Sequence, residues 1–120
     1  MLNISFAWTT AALVSLNKTC TRRSWSADYA GRFKAGQVVM ALDRSFRFGG
    51  RPIAKIQLTA APQVQPTSQM TEQDYIDEGL NWMSAAGISI RGKTPRQFFD
   101  DWKRDNDTVY VVRFKVLEIL

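Results

Sequence analysis

The sequence predicts a small α+β fold, a partly open β-barrel of about five strands decorated by short helices. Three observations lead there. Several short stretches alternate apolar and polar residues, the pattern of a half-buried strand, and "TVYVVRFKVLEIL" is the longest of them. Some of these stretches are joined by loops rather than crossover helices, so they suit antiparallel neighbours better than a doubly wound parallel sheet. Two helix starts, at Thr71 and Thr94, are marked by strong local capping signals.

In chain order, Ile4, Phe6 and Trp8 alternate with Ser5 and Ala7, which predicts a first strand over 4–8. Thr9 or Thr10 then caps a helix whose buried face carries Ala12, Leu13 and Leu16, and Asn17 is a suitable exit. Lys18–Trp25 reads as an extended, Thr-rich segment. Strict alternation puts Lys18, Cys20 and Arg22 on one face, and Thr19, Thr21 and Arg23 on the other. "SADYAGRFKAG" predicts a short helix or turn ending at Gly36. "QVVMAL" predicts a buried strand, "DRSFRFGGRP" a loop with a tight Gly49–Gly50 turn, and "IAKIQLTA" a strand with Ile53, Ile56 and Leu58 inward. Pro62 and Pro66 make "APQVQPTSQ" a loop or an edge segment.

Thr71 with Asp74 forms a variant capping box, and Met70 with Tyr75 has the spacing of a hydrophobic staple. The helix that follows should bury Ile76, Leu80 and Met83. "SAAGISIRGK" reads as a loose connector. Thr94, Pro95 and Gln97 open a second helix with Phe98, Phe99 and Trp102 on its core face, closed by Asp105-Asn106-Asp107. The last strand alternates Tyr110, Val112, Phe114, Val116 and Glu118. The expected order is β-α-β-α-β-β-α-α-β, in a single domain spanning 1–120.

Composition narrows the chemistry. The 120 residues include no histidine and one cysteine, Cys20. That excludes an internal disulfide, a zinc site of the Cys/His type, and every Ser-His or Cys-His nucleophile pair. Catalysis would have to run on Lys, Asp/Glu, Ser/Thr, Tyr or Cys20. No tight acidic cluster argues for a metal, and neither metal nor cofactor is expected. Cys20, flanked by threonines, reads as a small buried residue rather than a reactive thiolate. No window is apolar and long enough to span a bilayer, and "MLNISFAWTT" lacks the features of a signal peptide, so a cytoplasmic protein with no membrane partner is expected, as a monomer.

The net charge is +5, unevenly placed. Residues 1–60 carry nine Lys/Arg against Asp28 and Asp43, while residues 61–120 carry seven against nine acids. A basic half of this kind fits an anionic partner, most simply nucleic acid or a nucleotide. Arg22, Arg23 and Trp25 can grip a phosphate and stack a base, and Arg47 and Arg51 with Phe46 and Phe48 offer a second such pairing. Lys55 adds a cation on the neighbouring strand. The plain alternative is that Trp25 and both phenylalanines simply pack, as Trp8 and Trp102 are expected to do.

Five motifs in order carry a resemblance. They are Lys18-Thr19-x-Thr21-x-Arg23 after the first helix, the turn at Phe33, Lys34 and Gly36, the "IAKIQLT" strand, the acidic helix from Glu72 to Glu78, and the closing "VYVVRF" strand. Together they resemble the ASCH family of the PUA-like β-barrel superfamily over nearly the whole chain. The resemblance implies a PUA-like barrel and an RNA-related role. One bacterial branch of that family hydrolyses the acetyl amide of N4-acetylcytidine with a Lys, a Thr and a Glu. Carried over, those positions are Lys18, Thr21 and Glu78. Other members have been proposed to cut RNA. The chain departs from the family pattern in an extra loop, Asp43 to Pro52, and a longer connector, Asn81 to Lys93, both able to reshape a pocket.

The implied chemistry is coherent. Thr21 would attack or orient a water, Lys18 would act as a base if burial or Arg22 and Arg23 lowered its pKa, and Glu78 would carry the proton to the leaving amine. Alternation sets Lys18 and Thr21 on opposite faces unless Lys18 sits in the helix-to-strand turn. Each residue also has an ordinary role: Lys18 at a helix C-terminus, Thr21 in a strand, Glu78 solvated at a helix end. A non-catalytic RNA-binding module using the same basic cleft is the alternative function, and a ribonuclease is a third, lower one.

Overall fold

The computed structural model describes residues 1–120. Its centre is one curled, mixed sheet. The strands are β1 (Asn3–Ser5), β2 (Cys20–Arg23), β3 (Val38–Leu42), β4 (Pro52–Leu58), β5 (Gln63–Pro66) and β6 (Thr108–Ile119). The hydrogen-bonded order is β1-β3-β4-β6-β2, with β5 also paired to β6. The long β6 organises the sheet. Its first half lies between β2 and β5, and its second half pairs with β4. β4 and β5 run successively along β6, separated by 59–62, so the Pro-containing segment expected to be loop or edge is an added sixth strand. Pro62 and Pro66 are tolerated because β5 pairs on one side only. β1 lies parallel to β3, the one exception to the antiparallel pattern.

Ile4, Phe6, Leu13, Phe33, Val39, Ile56, Leu58, Val112 and Phe114 fill the concave side of the sheet, where Phe6 meets Phe114 edge to face at 5.7 Å. The first strand is shorter than alternation suggests. The chain leaves it at Ser5 for a 3₁₀ turn over Ala7–Thr9, with Ala7 at φ +45°. Phe6 still enters the core, while Trp8 is turned outward and packs edge-on against Phe98 at 5.1 Å.

The helices are short: α1 (Thr10–Val14), α2 (Ala27–Ala30), α3 (Glu72–Asp77), α4 (Leu80–Ala85) and α5 (Pro95–Asp105). Both anticipated capping boxes form. Thr71 Oγ1 accepts from Asp74 N while Asp74 Oδ2 accepts from Thr71 N, and Thr94 and Gln97 repeat the exchange. The helix expected to run from Thr71 through Met83 is instead broken at Gly79, whose φ is +88°. A Cβ there would stand 2.6 Å from Ala12 Cβ and 3.3 Å from Lys18 Cβ, so close approach to α1 demands glycine. The break rotates α4 relative to α3. Tyr75, Leu80 and Met83 therefore join Ala12, Met70, Ile90 and Phe99 in a second core, and Ile76, expected inside, is exposed. No helix is long and apolar enough to cross a membrane.

Candidate functional site

The segment between α1 and α3 assembles a buried network of charge. Asn17 closes the end of α1 through its N–H to Ala12 O, and Thr19 N donates to Asp77 O, so Lys18 is held in the turn between helix and strand. There its Nζ donates to Glu78 Oε1 at 3.0 Å and to the Glu78 carbonyl at 2.9 Å. Lys18 is 1% exposed and Glu78 4%. Glu78 ends α3 and, contrary to the solvated reading, is a counter-ion to two cations: its Oε2 also accepts from Arg22 Nη1 at 2.8 Å. Arg22 Nη2 reaches Asp74 Oδ1 at 3.1 Å and Gln65 Oε1 at 3.1 Å, while its buried Nε has no acceptor. Arg113 on β6 closes the network, with Nη2 on Asp74 Oδ1 at 2.8 Å and Nη1 on Asp77 Oδ2 at 3.3 Å.

Burial lowers the Lys18 pKa, although attraction to Glu78 opposes the shift. Burial and the Glu78 charge together push the Cys20 thiol up to about 12, so this sulfur stays protonated and inert at neutral pH. Burial alone would raise the Asp74 carboxyl, but the Thr71 N–H and the guanidinium groups of Arg113 and Arg22 outweigh it and hold the carboxyl at about 2. Arg22, expected to grip a phosphate, has its guanidinium occupied by Glu78, Asp74 and Gln65.

Thr21 lies on the other side of β2. It pairs with Val112, a residue of the sheet core, and its Oγ1 accepts from Arg23 Nε at 3.1 Å. Lys18 and Glu78 are thus brought together, and Thr21 hydrogen-bonds to neither. Arg23 sits over the Phe6 ring at 5.3 Å, and burial lowers its pKa while the Glu78 charge raises it.

Arg23 points to an open site. β1 bonds only to β3 and β2 only to β6, so the curled sheet fails to close where their free edges face one another. A cleft of about 210 Å³ occupies this seam, lined by Asn3, Ile4 and Ser5 from β1, by Arg23 and Trp25 from the end of β2, and by Tyr29 and Ser45. Trp25 is fixed by stacking on Phe33 at 4.5 Å and by an edge contact with Tyr29 at 5.1 Å. Ser45 opens the loop that carries Arg47 and Arg51, and neither of these two lines the cleft. Lys55 lies on β4 and pairs with Glu118 at 3.8 Å.

The sheet and its decoration match two solved structures. One is a protein of family DUF984 from Enterococcus faecalis, 18% identical, TM-score 0.61, with 100% of this chain and 83% of that chain covered. The other is an ASCH domain from Lactobacillus crispatus, 16% identical, TM-score 0.54, covering 96% of this chain and 79% of that one. The chain has an ASCH-like fold. No protein-family model matches the sequence, nor does any curated protein.

Within this ASCH-like fold several site residues escaped the sequence reading. Asp74 and Arg113 complete the buried network, and Asn3, Ser5, Tyr29 and Ser45 complete the seam. The spacing Trp25, Tyr29, Phe33, four residues apart twice, was an available signal for the aromatic stack. Nothing local marked Arg113.

Proposed function

We propose that the protein binds single-stranded RNA and holds one nucleotide in the seam between β1 and β2. The observation that carries this reading is the cleft itself, in which an arginine and fixed aromatic side chains meet two strand edges whose backbone groups are free to hydrogen-bond. Arg23 supplies the charge for a phosphate or a base acceptor. Trp25 and Tyr29 supply π surface, and β1 supplies donors and acceptors for a base edge. The cleft is smaller than the 300–1,000 Å³ typical of drug-sized ligands, which suits a single base. RNA rather than DNA rests on the ASCH-like fold. The test is fluorescence anisotropy with a labelled single-stranded RNA at low salt. Binding that Arg23→Gln weakens about tenfold, with circular dichroism unchanged, supports the proposal. Absence of binding by the wild type overturns it.

A second reading is favoured by one contact, the approach of Lys18 Nζ to Glu78 Oε1. A desolvated lysine beside a carboxylate is the pair that amide hydrolysis of an N4-acetylcytidine-like nucleoside would use. Two features weigh against it: both side chains are closed off from solvent, and Thr21 faces the other way. Deacetylation followed chromatographically, with Lys18→Ala and Glu78→Ala alongside, separates the readings. Turnover lost in both variants would establish this one.

A further inference from the structure

The loop from Asp43 to Arg51 holds two phenylalanines in water and keeps them there. Phe46 is 56% exposed and Phe48 70%. Both lie on a 3₁₀ turn that is pinned throughout. Ser45 Oγ accepts from Arg47 N, Gly49 N donates to Phe46 O, and Gly50 N donates to Ser45 O. At the base of the loop Asp43 N donates to Arg51 O at 3.1 Å, and Arg51 N donates to Asp43 Oδ1 at 2.8 Å. Gly49 has φ +79°, and a Cβ on Gly50 would lie 1.7 Å from Arg44 O. A loop this constrained cannot fold its aromatic rings back onto the core.

The loop's charge is equally exposed. Asp43 is its only carboxylate, and that group is engaged by backbone N–H groups. Arg44, Arg47 and Arg51 form no ion pair with any carboxylate, whereas Arg96, Arg104 and Arg113 do. Arg47 lies 6.0 Å from the centre of the Phe48 ring, so charge and π surface are presented together. Ser45 lines the seam cleft and also caps the turn, which joins the loop directly to the cleft.

We infer that this loop is a second nucleotide platform, so that the ligand is a single-stranded polymer spanning at least two nucleotides and not a free nucleoside. The inference rests on the RNA-binding reading of the seam. One base occupies the cleft. The neighbouring base stacks on Phe46 or Phe48, and Arg44, Arg47 and Arg51 hold the phosphates that link them. Three guanidinium groups without an ion-pair contact match a polyanion, and sequence-tolerant stacking suits rings that offer no hydrogen-bonding partner.

The experiment compares a mononucleotide, as competitor, with a labelled octamer of single-stranded RNA. It uses the wild type, a Phe46→Ser/Phe48→Ser variant and the Arg23→Gln variant. Both phenylalanines are exposed, so the double variant should keep its fold, and circular dichroism checks this. The double variant should bind the octamer about five- to hundred-fold more weakly, the range for loss of base–aromatic stacking, and the mononucleotide as the wild type does. Replacing Arg44, Arg47 and Arg51 with glutamine should flatten the log–log salt slope by about 2, at roughly 0.7 per phosphate contact. Unchanged octamer affinity in the double variant, with loss in Arg23→Gln, overturns the platform and leaves the seam reading intact. A wild type that binds no RNA overturns both. Loop-dependent binding to anionic vesicles without RNA binding reassigns the loop to a membrane surface and also overturns the inference.

Discussion

Replacing Glu78 with leucine removes the one carboxylate that serves two buried cations. Arg22 keeps Asp74 at 3.1 Å, but Lys18 keeps only the Glu78 carbonyl at 2.9 Å. Lys18 is 1% exposed, so water cannot take the place of the lost carboxylate. Removing one partner of a buried pair costs about 3–5 kcal/mol, a large part of a total stability of about 5–15 kcal/mol. At roughly 3–6 °C per kcal/mol for a chain of this size, Tm should fall by about 10–30 °C. Lys18→Met should cost far less, because Glu78 retains Arg22 and a buried charge is replaced by an apolar group of similar length. The double variant should regain part of the Glu78→Leu loss, because the orphaned ammonium is gone. Thermal unfolding by circular dichroism at two pH values adds a sign. Burial already lowers the Lys18 pKa from 10.5, and without the Glu78 carboxylate the main opposition to that shift is gone. Over the window below 10.5 the unfolded chain then binds more protons than the folded one, so stability rises with pH. The Tm gap to the wild type should narrow between pH 7 and pH 10. A Tm within about 2 °C of the wild type, or a larger loss in Lys18→Met than in Glu78→Leu, would refute the reasoning.

Two further outcomes follow from the same packing. Gly79→Ala places a Cβ 2.6 Å from Ala12 at a left-handed φ, and should lower stability by about 2–4 kcal/mol from backbone strain and overpacking combined. A urea midpoint that falls at constant m is the expected signature, and an unchanged midpoint would show that α1 and α3 separate freely. The Asp74 carboxyl, held at about 2 against an ordinary 3.8, contributes stability that is present above pH 4 and lost as pH falls toward 2. Arg113 is 43% exposed, and solvent screening limits that contribution to on the order of 1–2 kcal/mol. Asp74→Asn should flatten acid unfolding in this window, and a profile parallel to the wild type would count against the Asp74 pairings.

What was legible in the sequence was what is local. Thr71 with Asp74 and Thr94 with Gln97 announced their caps because a capping box is complete within four residues. Strand alternation placed Lys18, Cys20 and Arg22 apart from Thr21 and Arg23, and the structure keeps that division. The rest depended on distant partners. Asp74 looked fully employed as a cap, and its other oxygen waits for Arg22 and Arg113 from two different strands. Gly79 looked like an ordinary helix residue until Ala12 and Lys18 were packed against it. Arg22 read as a free cation because the carboxylates that claim it come from a helix far along the chain. The seam was invisible because it consists of a bond not made, between β1 and β2.

That division of β2 into two faces changes the meaning of the charge count. The first sixty residues hold nine cations, but Lys18 and Arg22 are neutralised by Glu78 and Asp74, and Lys55 faces Glu118. The six that remain are Arg23, Arg32, Lys34, Arg44, Arg47 and Arg51. Arg23 lines the seam, and Arg44, Arg47 and Arg51 belong to the loop that Ser45 ties to it. A buried cation paired to a carboxylate fastens helix to sheet and exerts little field outside the molecule, whereas an unpaired guanidinium at the surface attracts anions over about a Debye length. Of the surplus that the sequence spreads over half its length, one cation lines the cleft and three lie on the loop that begins at its edge, while Arg32 and Lys34 lie elsewhere. If the proposed RNA binding holds, its salt dependence should respond to Arg23, Arg44, Arg47 and Arg51 and not to Lys18 or Arg22.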